Sequence, residues 1–148
     1  LQFNVSHSGA LILIALVRQH AVGVDVESIE RRVAEERIAE RFFSPDEVAR
    51  LRSLPETAQH AAFFECWTRK EAFIKAHGEG LSLPLDSFSV AFGPNEAARL
   101  VRFDREPGAD GWTLRAPTVG EGYAAAVCVA APEADMTCFG YRGDAFAH

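Results

Sequence analysis

Val22-Gly23-Val24-Asp25-Val26-Glu27 is the stretch from which the fold of this chain is read. Its alternation has the period of two of a β-strand, so Asp25 and Glu27 share one face and the valines the other. Acidic residues on an edge strand often serve only to discourage sheet-to-sheet pairing. Joined by a third carboxylate from another element, they also make the set of hard oxygen donors that suits a magnesium ion holding a substrate phosphate. Glu71, some forty residues later, is the candidate third member. Spacing in the chain leaves both readings open.

On the N-terminal side, Leu1 to Val5 reads as an apolar strand and Leu11 to Val17 as a short, bulky, buried one. Arg18-Gln19-His20 can turn the chain, so residues 10–27 are expected to form a hairpin. On the C-terminal side, a charged helix is expected from Val33 to Phe42. Ser44-Pro45-Asp46-Glu47 then has an N-cap serine, proline at the first helical position and glutamate at the capping-box position, and the helix should end near Pro55. A longer helix is expected from Ala58 to His77, stopped by Gly78. Beyond Pro84 the texture changes to strands: Phe88 to Phe92, Ala98 to Phe103, Trp112 to Arg115, Tyr123 to Ala130 and Met136 to Tyr141. The fold class is α+β, with helices packed on a largely antiparallel sheet.

On the long helix, about 100° per residue places Phe63, Cys66, Trp67, Ile74 and His77 on one stripe, with Lys70 at its centre. A lysine there must snorkel or find an anionic partner, and a structural ion pair is the plain alternative to a functional role. Glu71 and Lys75 lie together on the flank, four residues apart, which alone would be an ordinary surface pair. Ser6 and His7 are adjacent on a strand and so point to opposite faces, which disfavours a nucleophile–base pair, and no GxSxG elbow surrounds Ser6. Contacts to a phosphate or to the adenine side of a nucleotide suit the two better. His20, His60 and His148 read as surface residues without metal-ligand spacing, and His77 as a helix-end residue.

The 148 residues suffice for one domain with a real core. Hydrophobic residues at 48% exclude disorder, and a net charge of −6 argues against a nucleic-acid binder. Arg31, Arg32, Arg37, Arg41, Arg50 and Arg52 crowd one region, where solvated helix faces are the plain reading. Cys66, Cys128 and Cys138 form no paired framework and are expected to be buried free thiols in a reducing cytoplasm. The longest apolar run, Ala10 to Val17, is too short to span a bilayer. The protein is therefore expected to be cytoplasmic, with neither membrane nor nucleic acid among its partners.

Three stretches now combine. Phe3-Asn4-Val5-Ser6-His7-Ser8, Val22-Gly23-Val24-Asp25-Val26-Glu27 and Trp67-Thr68-Arg69-Lys70-Glu71-Ala72-Phe73-Ile74-Lys75 resemble the signature motifs of the 4′-phosphopantetheinyl transferases, in the family's order. Arg41-Phe42-Phe43-Ser44 and the run from Gly80 to Val90 resemble the surfactin-synthetase-activating type. The resemblance implies transfer of the phosphopantetheine arm of coenzyme A to a serine of an apo acyl or peptidyl carrier protein, releasing 3′,5′-adenosine bisphosphate. It implies that Asp25, Glu27 and Glu71 hold Mg2+, that Ser6 and His7 contact the nucleotide, and that Lys75 meets the pyrophosphate. Lys70 falls in the same motif as a further substrate-binding candidate, although the helical geometry makes it an inward supporting charge. Glu71 is the candidate general base, a role that competes with metal ligation.

Members of that type carry an additional N-terminal half. Residues 1–148 are therefore expected to be a single domain lacking this subdomain, with an incomplete coenzyme A pocket. The strand from Ala10 to Val17 is expected to expose an apolar face that favours self-association. The Arg-rich stretch from Ser28 to Phe43 is expected to dock the carrier protein through Arg37, Arg41, Phe42 or Phe43. Two readings compete: an inactive piece that binds carrier proteins or coenzyme A, and an unrelated magnesium-dependent phosphoryl-transfer enzyme.

Overall fold

A computed structural model describes residues 1–141. The elements run β1 (Gln2–Ser8), β2 (Leu11–Val17), β3 (Val22–Ser28), α1 (Glu35–Phe42), α2 (Pro45–Ser53), α3 (Glu56–His77), β4 (Phe88–Val90), β5 (Leu100–Phe103), β6 (Thr113–Arg115) and β7 (Tyr123–Val129). All strand pairs are antiparallel, and they form three small sheets in place of the one expected: β1–β2, β3–β7–β6 and β4–β5. The fold is α+β, as read from the sequence.

The hairpin is a correction. β2 pairs with β1, through the turn at Gly9 (φ 56°), and β3 pairs with the distant β7. Hydrophobic runs specify a strand but not its partner; here the tight glycine turn decides it, and Tyr123 helps by accepting the Ala10 N–H on its hydroxyl. The hairpin lies against the open edge of β3 in an unusual way. Backbone N–H groups of Val24, Val26 and Ser28, left free by β7, donate to the side chains of Asn4 (3.0 Å), Ser6 (3.1 Å) and Ser8 (2.9 Å). Polar side chains at alternate positions of β1 thus replace the missing neighbouring strand, and no edge N–H is left unpaired at these three positions.

α3 is the central element. Twenty-two residues without Gly or Pro run from Glu56 to His77, and the left-handed Gly78 (φ 85°) ends them, its N–H bonding to Ile74. The buried surface of α3 is wider than one apolar stripe: Ala62, Phe64, Thr68, Arg69, Ala72, Phe73 and Ala76 are covered as well. Phe73 packs against Phe88, Phe103 and Trp112 with centroids 4.6, 5.1 and 4.9 Å away. α2 begins with the full capping box of Ser44 and Glu47.

Met136 to Tyr141 forms no strand, and Cys138 there is exposed, whereas Cys66 and Cys128 are buried as expected. His148 lies outside the described residues. No helix among the described residues is long and apolar enough to cross a membrane.

Candidate active site on the flank of the central helix

Gly23 brings the helix to the strand. A Cβ there would fall 2.1 Å from the Ala72 carbonyl oxygen and 2.5 Å from the Ala76 nitrogen, so only glycine admits this approach. The same close contact lets the Lys75 ammonium donate to the Val24 carbonyl and to Asp25 Oδ1, both at 2.9 Å. On the other edge of β3, Asp25, Val26 and Glu27 pair with Ala126, Ala125 and Ala124.

Asp25 is 5% exposed. Its Oδ1 accepts from Ser6 (3.3 Å) and Lys75, while its Oδ2 is buried with no partner. Burial raises its pKa above the ordinary carboxylate value, the Lys75 bond and charge work against that, and Glu27 adds to it. Glu71, half-buried on α3, is raised in the same direction, first by burial, then by the Asp25 charge, with Lys75 opposing and Glu27 contributing. Glu27 accepts from Arg31 at 2.8 Å and, at the long end of bonding distance, from Ser8 at 3.5 Å. Asp25, Glu27, Glu71 and Lys75 therefore form one electrically coupled cluster drawn from two elements.

The three carboxylates do not, however, close on one metal-sized point: no group of three His, Cys, Asp or Glu side chains among the described residues does so. Lys75 holds Asp25 and Arg31 holds Glu27, so part of the negative charge is already matched by side-chain cations. The donor chemistry still fits a divalent cation. A buried carboxylate oxygen with no partner is a costly arrangement that a cation or a proton relieves.

Lys70 is turned away from this cluster. Fully buried, its ammonium donates to Glu47 Oε2 (2.7 Å) and the Phe88 carbonyl (2.8 Å) and lies 4.2 Å over the Phe88 ring. A substrate contact from Lys70 is excluded by that burial. Its partner Glu47 also accepts from the Ser44 and Val90 N–H groups, each at 2.8 Å, and Ser44 Oγ meets Ser89 Oγ at 2.8 Å. The sequence signals the capping box but not its second use as a receptor for the lysine.

His7 is exposed on the outer face of β1, while Ser6 is buried and bound to Asp25 and Val26. His60 is tied by both ring nitrogens, to Glu35 and to the Ile29 carbonyl, which raises its pKa, the Ile29 bond first. Phe43 belongs to the core, stacked on Phe63 at 5.4 Å, so it leaves the set of docking candidates. Arg37 and Arg41 are exposed and Phe42 half-buried. Beside Glu27 a groove of about 130 Å³ is lined by Arg31, Val33, Ile38, Phe64 and Trp67.

Comparison with known proteins identifies the family. The family described as the 4′-phosphopantetheinyl transferase superfamily matches residues 21–128, and the chain belongs to it. Among curated relatives, a 4′-phosphopantetheinyl transferase of Bacillus subtilis is 38% identical over 90% of this chain and 57% of its own length. One from Aneurinibacillus migulanus is 34% identical over 86% of this chain and 51% of its own. The chain thus spans little more than half the length of these relatives. Among solved structures, the holo-[acyl-carrier-protein] synthase of Thermotoga maritima shares the fold, with TM-score 0.59 and 22% identity over 78% of this chain and 66% of that one. A synthase–coenzyme A complex from Chronobacterium ammoniagenes aligns with TM-score 0.51 and 26% identity, over 76% of this chain and 96% of that one.

Proposed function

We propose that this chain carries the acidic half of a 4′-phosphopantetheinyl transferase site, moving the phosphopantetheine arm of coenzyme A to a serine of an apo acyl or peptidyl carrier protein. The observation that carries the reading is the cluster of Asp25, Glu27, Glu71 and Lys75, assembled from two motifs and holding a bare, buried Asp25 oxygen. Asp25 Oδ2 is the first donor to a divalent cation, Mg2+ by its hard oxygen set, with Glu27 and Glu71 as the others. When bound, that ion supplies neutralisation of the pyrophosphate charge. Lys75 stands beside the same charge as a point cation. Glu71, half-buried beside Asp25 and Lys75, is the candidate to take the proton of the carrier serine, a role that competes with ligation of the cation. The serine oxygen bonds to the β-phosphorus as the bridging oxygen to the α-phosphate leaves with 3′,5′-adenosine bisphosphate. His7, exposed on β1, is assigned to the nucleotide end by the motif it belongs to.

Carrier docking is assigned to Arg37, Arg41 and Phe42 of α1, the helix that contributes Ile38 to the groove at Glu27. The buried thiols of Cys66 and Cys128 suit a reducing cytoplasm. A second reading, a module that binds carrier protein or coenzyme A without turnover, is favoured by the chain's spanning little more than half of its relatives. Labelling of an apo carrier protein with a fluorescent coenzyme A analogue separates the two. Labelling that needs Mg2+, stops with EDTA and drops about 100-fold in Asp25→Asn supports transfer. Binding of either partner without any labelling supports the module.

A further inference from the structure

His60, in the second turn of α3, spans the connector between β3 and α1. Its Nδ1 meets the carboxylate of Glu35, the first residue of α1, and its Nε2 meets the carbonyl of Ile29, the first residue after β3. One ring thus ties both ends of residues 30–34 to the central helix. That connector carries Arg31 and Val33, two walls of the groove at Glu27. Phe64, a third wall, meets the His60 ring edge-on with centroids 5.3 Å apart. Ile29 is held from its other side, where its N–H donates to the Gly122 carbonyl at 2.9 Å.

A carboxylate and a carbonyl can only accept, so both ring nitrogens must carry hydrogen for both contacts to be made. A neutral imidazole has one N–H and turns a lone pair towards the second oxygen. The arrangement is therefore complete only in the imidazolium. Glu35 supplies its counter-charge. Among the described residues, Glu30, Arg31 and Arg32 of the connector, Glu36 of α1 and Glu56 of α3 make no hydrogen bond to the ring. Arg31 is taken by Glu27, and Glu36 accepts from Arg52. The Ile29 bond and then the Glu35 bond raise the His60 pKa above the ordinary histidine value, with burial opposing. A group raised on folding supports the fold at low pH and withdraws that support as pH climbs through its folded value.

We propose that His60 is a pH-sensitive staple: as an imidazolium it locks residues 30–34 and the groove wall they form, and loss of a ring proton frees one end of that connector. The proton passes to solvent, which the ring meets directly, its side chain being 45% exposed. The switch works whatever occupies the groove.

The connector contains its own reporter, because trypsin cuts after arginine and the Arg32–Val33 bond lies inside it. Cleavage of that bond is followed by mass spectrometry between pH 6.5 and 8.5, each rate divided by that of a free peptide of residues 28–36 to remove the pH dependence of trypsin. The His60 ring is titrated in parallel by NMR. In the unaltered chain, the normalised rate should rise about tenfold on loss of one charge-assisted hydrogen bond, with the midpoint of the ring titration. His60→Gln, which does not titrate and cannot donate to both oxygens, should be cut at the fast rate throughout. Glu35→Gln keeps an acceptor but removes the counter-charge, so both midpoints should move together to lower pH. A normalised rate in the unaltered chain that stays flat across the range overturns the proposal. So does a His60→Gln profile equal to that of the unaltered chain, or a ring that titrates below the ordinary histidine value. If His60→Gln does not fold, the paired midpoints of the unaltered chain and Glu35→Gln decide: midpoints unmoved by Glu35→Gln overturn the staple.

Discussion

Lys70 and Glu71 are neighbours in sequence with opposite environments: one ammonium sealed in the core, one carboxylate half-open among other charges. The cost of burying Lys70 is offset by Glu47 and the Phe88 carbonyl, although desolvation still leaves its pKa lowered. Lys70→Met alone, which strands the Glu47 carboxylate, should cost about 3–5 kcal/mol in denaturant unfolding. The pair Lys70→Met with Glu47→Leu should recover much of it, because both buried charges are then removed. Asp25 and Glu71 contribute to the pH dependence. Their pKa values are raised on folding, so the protonated forms favour the fold, and this contribution is lost as pH rises through the folded values. In EDTA, the melting temperature should therefore fall as pH climbs above the ordinary carboxylate range. Added Mg2+ should restore it, more strongly at pH 8 than at pH 5, in a thermal scan at both.

β3 and α3 make the site by their contact, and Gly23 sets how near they come. Gly23→Ala must push Ala72 and Ala76 away, a strain of about 1–3 kcal/mol, and carries Glu71 and Lys75 with the helix. It should lower both unfolding stability and Mg2+ affinity, whereas a core substitution of equal stability cost, such as one at Phe103 on β5, should leave Mg2+ affinity alone. α1 offers a different test. Arg31 and Arg52 already have acidic partners, while Arg37 and Arg41 face solvent. Changing Arg37 or Arg41 to Glu should raise the carrier-protein KM by about fivefold each, an effect that shrinks as salt rises. An unchanged KM would place docking elsewhere.

The β1–β2 hairpin presents its outer face bare. Phe3, Ile12, Ile14 and Leu16 are each more than 60% exposed, and the register sets Phe3 opposite Leu16 and Val5 opposite Ile14. A contiguous apolar surface of this kind marks an interaction face. The chain should therefore self-associate in sedimentation velocity runs as concentration rises. Ile14→Lys should return it to monomer without loss of fold, and a chain that stays monomeric before that change would refute the assignment.

Much of this protein was legible in its sequence. Helix starts and stops, the acidic strand, the flank shared by Glu71 and Lys75, and the three ordered motifs all rest on periodicity and local capping, which act within a few residues. Long-range pairing was not legible. β3 has β7 on one edge and the side chains of Asn4, Ser6 and Ser8 on the other, and neither follows from the run that precedes it. The same holds for Glu47 as the partner of Lys70: the capping box is local, while the lysine reaches it only through the packing of two helices. Local steric and hydrogen-bonding rules decided which segments became strand or helix. Which oxygen of Asp25 is tied and which is bare was decided by the tertiary structure alone, because Ser6 and Lys75, the groups that hold Oδ1, come from elements 19 and 50 residues away.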